Sequence, residues 1–137
     1  MYAHETQIRV RYGETDRMGY LYYGHYAQYY EVGRVETIRS LGLSYKELED
    51  VHGIWLPVVS LETRFVRPAH YDDLLTVRTE IRRLPDEHII FHVEVKNAQQ
   101  KIVNAARVRL CFFDAQSKKV VSAPEMLLVQ LRPYFSG

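Results

Sequence analysis

The chain has 137 residues, the length of one compact domain that can bury a real core, and it reads as a single domain over residues 1–137. A formal net charge of +1, with the basic residues dispersed, lacks the electrostatic footprint of a nucleic-acid binder. The lone Cys111 excludes an internal disulfide, and the absence of a signal-peptide pattern or a long apolar run leads us to expect a cytoplasmic protein without a membrane span.

Residues 7–12 alternate Ile8, Val10 and Tyr12 with polar neighbours, which predicts a half-buried strand. A polar segment with glycine at both ends follows, Gly13 to Gly19, and reads as a loop. From Gly24 to Leu41 there is no proline, and Tyr26, Tyr30, Gly33, Thr37 and Leu41 recur at helical spacing, widened by Val35 and Ile38. Gly42 stands where a C′ glycine belongs, and Ser44 with Glu47 has the spacing of a capping box for a short second helix closed by Gly53.

The remainder is strand-like. Alternation runs through Val59–Phe65, Leu75–Ile81, Ile89–Val95 and Ala106–Phe112, and the links at 70–73, 85–87 and 97–100 are short and turn-like. Neighbouring strands should therefore pair antiparallel, with one wet and one apolar face. The only long element available to cover the apolar face is the 24–41 helix. The expected class is α+β: a strand, a long helix, then an antiparallel sheet of five or more strands curled around that helix.

Familiar hydrolase signatures are missing. No G-x-S-x-G elbow is present, and Gly19 and Gly24 have P-loop spacing but are followed by His25-Tyr26 instead of Lys-Ser/Thr. His88 and His92 share a strand face without a third ligand at sensible spacing, so no metal is expected. What remains is Asp16, in a polar loop just ahead of a helix start. A helix N-terminus offers unpaired N–H groups and about half a positive charge, a natural receptor for an oxyanion. An aspartate so placed is more often an Asx-turn or cap residue, and local chemistry alone favours that reading.

Taken together, Tyr12-Gly13-Glu14-Thr15-Asp16-Arg17-Met18-Gly19, Tyr22-Tyr23-Gly24-His25-Tyr26 and Tyr29-Tyr30-Glu31 with Arg34 resemble the hotdog-fold 4-hydroxybenzoyl-CoA thioesterase-like family, which includes the small acyl-CoA thioesterases encoded with the Tol–Pal system. The likeness extends through Leu56-Pro57-Val58-Val59-Ser60 and Arg67-Pro68-Ala69. It implies a hotdog fold, thioester hydrolysis of an acyl-CoA, no cofactor, and a homodimer or homotetramer whose site spans the subunit boundary. Asp16 matches the family's catalytic carboxylate. Tyr23 matches the residue whose backbone N–H faces the thioester oxygen, and Gly24 gives room and a second donor. Tyr22, His25 and Glu31 match substrate-side positions, although His25 stands where many members carry asparagine. Trp55 suggests an apolar acyl pocket or simply core. Arg82 and Arg83 are the candidates for the CoA phosphates. Two other readings stay open on sequence: a hotdog hydratase or dehydratase, and a non-catalytic acyl-CoA or acyl-carrier-protein binder.

Overall fold

A computed structural model describes residues Met1–Phe135. Seven strands form one antiparallel sheet: β1 (Tyr2–Arg9), β2 (Ile54–Trp55), β3 (Val58–Phe65), β4 (Leu74–Ile81), β5 (His88–Lys96), β6 (Ile102–Asp114) and β7 (Lys119–Val121). The main path runs β1-β4-β5-β6, with β3 on the outer edge of the first half of β6 and β2 and β7 at its far end. Helix α1 (Tyr26–Ser40) lies on the inner face, followed by α2 (Tyr45–Asp50) and, near the end of the chain, α3 (Glu125–Leu131). This is the hotdog architecture: a curled antiparallel sheet around one long helix.

The alternation read from sequence becomes layering. Leu75, Val77, Thr79 and Ile81 of β4 and Ile89, Phe91, Val93 and Val95 of β5 are buried, while their neighbours stay partly wet. Against them α1 buries Tyr26, Tyr29, Tyr30, Gly33, Arg34, Thr37 and Ile38. Helix and sheet approach closely at Gly33: a Cβ there would lie 2.6 Å from Thr79 Oγ1 and 2.9 Å from Val77 Cγ1. The helix stops as expected, with Gly42 at φ +87° in the left-handed region. Ser44 caps α2 by accepting the Glu47 amide at 3.0 Å.

Three expectations need correction. The first strand is Tyr2–Arg9 rather than 7–12: Arg11 begins a turn whose amide bonds the Glu14 carboxylate, and Tyr12 ends up 79% exposed. The central helix opens with a 3-10 turn over Tyr23–His25 before α1 proper begins. Strand β3 has no dry face: every one of its residues is exposed, and among the described residues its outer edge is unpaired.

Candidate active site

The loop joining β1 to the helix is pinned at both ends. Val10 amide bonds Asp73 O at 2.9 Å, and Thr15 and Leu21 form a bridge that closes the loop on itself. Glu14 anchors it from below. Buried at 6% exposure, its carboxylate accepts the Arg11 amide at 2.9 Å, Arg11 Nη2 at 3.0 Å and the Tyr29 hydroxyl at 2.7 Å. Burial by itself raises the Glu14 pKa, but the Arg11 guanidinium and amide and the Tyr29 hydroxyl outweigh it and hold the carboxyl below its ordinary range. Tyr29 pays reciprocally: burial first, then Glu14, raise its own pKa. Neither Glu14 nor Tyr29 stood out in the sequence as an anchor. The only available signal was an acidic residue, fifteen before an aromatic on the buried side of the helix.

Within the loop, Asp16 is half-buried and its backbone makes a tight turn: its amide bonds Tyr20 O at 2.8 Å and its carbonyl accepts from Gly19 at 3.0 Å. Gly19, at φ +80°, supplies the left-handed step. The Asp16 side chain is divided between two tasks. Oδ1 accepts the Met18 amide at 2.9 Å and the Tyr20 amide at 3.2 Å, the Asx-turn geometry. Oδ2 makes no hydrogen bond within the described residues. The turn thus fixes the carboxylate while leaving one oxygen available.

The helix tip stands close by. Tyr22 amide bonds Glu14 O at 2.9 Å and His25 amide bonds Tyr22 O at 2.9 Å, whereas the amides of Tyr23 and Gly24 have no acceptor among the described residues. These are the orphan donors of a helix start. The Tyr22 hydroxyl is held above its ordinary pKa, chiefly by the Tyr23 hydroxyl and in smaller part by burial and the Asp16 carboxylate. At Gly24 a Cβ would sit 2.7 Å from the Tyr22 ring, so glycine lets this ring lie across the tip. His25 Nδ1 is 3.1 Å from Gln28 Oε1 and lies at the same end of the helix.

The remaining sequence candidates scatter. Glu31 is exposed two turns down α1, beside a cavity of about 230 Å³ between α1 and β3. Trp55 is on β2, 49% exposed and stacked on Phe113 at 6.1 Å between ring centroids. Arg82 and Arg83 line a groove of about 540 Å³ on the outer sheet face together with His88, His92, Arg107 and Arg109. They follow Ile81, which pairs with Tyr2, so within one chain they stand at the opposite end of β4 from the Asp16 loop. Among the described residues no cluster of His, Cys, Asp and Glu is suited to a metal ion.

The fold has counterparts among known proteins. Residues 10–131 match the model of the thioesterase-like superfamily. YneP of Bacillus subtilis is 31% identical over 88% of this chain and 87% of its own. The acyl-CoA thioester hydrolase YbgC of Escherichia coli O157:H7 is 26% identical over 91% of this chain and 92% of its own. Among solved structures, the DHNA-CoA thioesterase of Staphylococcus aureus superposes with a TM-score of 0.84 at 28% identity, covering 98% of this chain and 85% of that one.

Proposed function

The chain belongs to the thioesterase-like superfamily, and from that premise we propose that it hydrolyses small or medium acyl-CoA thioesters to the free acid and CoA. One observation carries the reading. Asp16 has one oxygen locked by backbone amides and the other unbonded, beside a helix start whose Tyr23 and Gly24 amides lack acceptors. The same division of roles, an acid at a preformed amide pair, is what acyl transfer requires.

The thioester carbonyl lies against the Tyr23 and Gly24 amides, whose N–H groups take up the charge that develops on oxygen. Asp16 Oδ2 then acts in one of two balanced ways. As a nucleophile it forms a C–O bond to the carbonyl carbon, the C–S bond breaks, CoA leaves as the thiolate, and water cleaves the mixed anhydride. As a general base it takes a proton from water as the water oxygen attacks, and collapse of the tetrahedral species expels CoA. An oxyanion donor is worth about 3–4 kcal/mol in such steps, and a positioned base about 10²–10⁴ in rate. No cofactor is called for, since CoA is part of the substrate. Tyr22 and His25 frame the carbonyl end, and Glu31 lies along the path of the acyl group.

A second copy of the chain completes this reading. Among the described residues the outer edge of β3 is unpaired, and its Val58, Val59, Leu61 and Phe65 are exposed, which is the kind of edge proteins cover. Antiparallel pairing of two β3 strands across a two-fold axis satisfies that edge. It also carries the Arg82 and Arg83 end of one sheet toward the helix tip of the other copy, where the guanidinium groups meet CoA phosphates. The buried free thiol of Cys111 suits a reducing cytoplasm.

The test is direct. Purified protein is mixed with short, medium and aromatic acyl-CoAs and a thiol reagent, and free CoA is followed. Release that disappears in Asp16→Asn supports hydrolysis. Tight binding without release points instead to a non-catalytic binder, and hydration of an enoyl-CoA to a hydratase.

A further inference from the structure

Glu14 is a buried charge that the hydrolytic steps do not use. It stands two residues before Asp16, at the base of a short hairpin that the backbone builds rung by rung. Glu14 O accepts the Tyr22 amide at 2.9 Å, Thr15 bridges Leu21, and the Asp16 amide bonds Tyr20 O at 2.8 Å. Asp16 is on one arm of this hairpin. The other arm runs through Tyr22 directly into the Tyr23–His25 turn that opens the helix.

The rungs fix the arms to each other, and two tethers fix the hairpin to its surroundings. The Leu21 amide ties the second arm to Ala69 O at 2.7 Å. The Glu14 carboxylate ties the first arm to the helix: Oε1 accepts the Tyr29 hydroxyl at 2.7 Å and the Arg11 amide at 2.9 Å, while Oε2 accepts Arg11 Nη2 at 3.0 Å. Stability is a poor reason for choosing a carboxylate here. Drawing a charge out of water is costly, and an apolar side chain of similar volume fills a buried site at least as well. The Arg11 side of the pair is 79% exposed, so its attraction is screened as well. What a carboxylate adds is direction, since its donors must approach at defined distances and angles. Acyl transfer is sensitive to direction: a misplacement of about 1 Å costs on the order of 10²-fold in rate.

We propose that Glu14 is a positioning residue for the hydrolysis, setting Asp16 against the Tyr23 and Gly24 amides by way of its bond from the Tyr29 hydroxyl. The inference rests on the thioesterase reading and adds a residue to it. In this role Glu14 needs no contact with substrate, because its effect passes through the placement of Asp16. Cutting the link therefore lowers kcat and leaves KM nearly unchanged, the pattern of an interaction made in the transition state.

The experiment measures kcat and KM on the best acyl-CoA for wild type, Tyr29→Phe, Glu14→Leu and Glu14→Gln, each shown by its melt to be folded at the assay temperature. Tyr29→Phe is expected to lose roughly 10-fold in kcat and Glu14→Leu roughly 10²-fold, with KM within about threefold of wild type. Glu14→Gln keeps an acceptor for the Arg11 amide and the Tyr29 hydroxyl, so its kcat should stay within about threefold of wild type. Leu127→Ala truncates a buried core residue of α3, lowers Tm without touching the link, and should keep kcat within about twofold. Folded Tyr29→Phe and Glu14→Leu with wild-type kcat overturn the proposal and leave the thioesterase reading intact. An equal fall in Leu127→Ala also overturns it, by assigning the effect to general loosening, as does a change confined to KM. Glu14→Gln as slow as Glu14→Leu overturns it too, because charge rather than hydrogen-bonded position then carries the effect. Should Glu14→Leu fail to fold, Tyr29→Phe against Glu14→Gln decides alone. A wild type that releases no CoA from any substrate is the separate result that defeats the thioesterase reading, and this proposal with it.

Discussion

Replacing Tyr29 by Phe removes a single oxygen from the support beneath the Asp16 loop. The Tyr29 hydroxyl donates to Glu14 Oε1 at 2.7 Å, and Glu14 is otherwise held by Arg11 and buried from water. A hydrogen bond to a charged group is worth about 1.5–3 kcal/mol, and the phenyl ring left behind still fills its place among the core residues. We therefore expect Tyr29→Phe to lose about 2 kcal/mol by urea unfolding at pH 7, or roughly 5–10 °C in Tm for a domain of this size. In the Glu14→Gln background the same change should cost about half as much, since a neutral acceptor makes the weaker bond. The pH dependence follows from the depressed Glu14 pKa. Stability derived from the ionised carboxyl is fully present above its unfolded value of 4.5 and is lost as pH falls through the lower folded value. The difference between wild type and Tyr29→Phe should accordingly be full at neutral pH and shrink below about pH 4.5. A cost under about 0.5 kcal/mol at pH 7, or an undiminished cost beside Glu14→Gln, would refute the anchoring role of this pair.

Three further outcomes are expected. Asp16→Ala, which removes the acceptor of the Met18 and Tyr20 amides, should lose about 1–2 kcal/mol by thermal unfolding, whereas Asp16→Asn, which keeps an acceptor oxygen, should stay within about 0.5 kcal/mol of wild type. Gly33→Ala should destabilise by about 1–3 kcal/mol despite the better helix propensity of alanine, because the new Cβ meets Thr79 and Val77; adding Thr79→Ala should recover part of that loss in the same melt. Val59→Lys, a charge on the exposed β3 strand, should shift sedimentation from a dimer of the 16.2 kDa chain toward the monomer. A monomeric wild type would remove β3 pairing from the account.

Sheet and helix were legible because their periods are long and clean. The period-2 runs in β4 and β5 map directly onto buried and wet faces, and Gly42, Ser44 and Gly53 punctuate the helices as their chemistry demands. The first strand was misplaced because Val10 and Tyr12 continue an alternation that the Glu14 anchor breaks: the carboxylate captures the Arg11 amide and turns the chain. Alternation also promised β3 a dry face, but every one of its residues is exposed, and among the described residues its only strand partner is β6. Short elements such as β2, β7 and α3 carry too few residues for a period to show.

The site was legible in part. Both readings of Asp16 turned out to describe one residue: Oδ1 makes the Asx-turn, and Oδ2 is left unbonded. Hydrogen bonds across chain separations left no local trace. Tyr29 to Glu14 is one case, and the link from the buried Tyr30 and Asn104 to the exposed Thr63, in which Tyr30 bonds Thr63 Oγ1 at 2.6 Å, is another. Nothing in the sequence marked Arg34 as buried either, since arginine on a helix is ordinarily solvated.

The most direct measurement is single-turnover release of CoA by wild type and Asp16→Asn under identical conditions, with the fold of each confirmed by its melt. The account predicts a folded variant slowed by roughly 10² or more. A folded Asp16→Asn that releases CoA at the wild-type rate would contradict it.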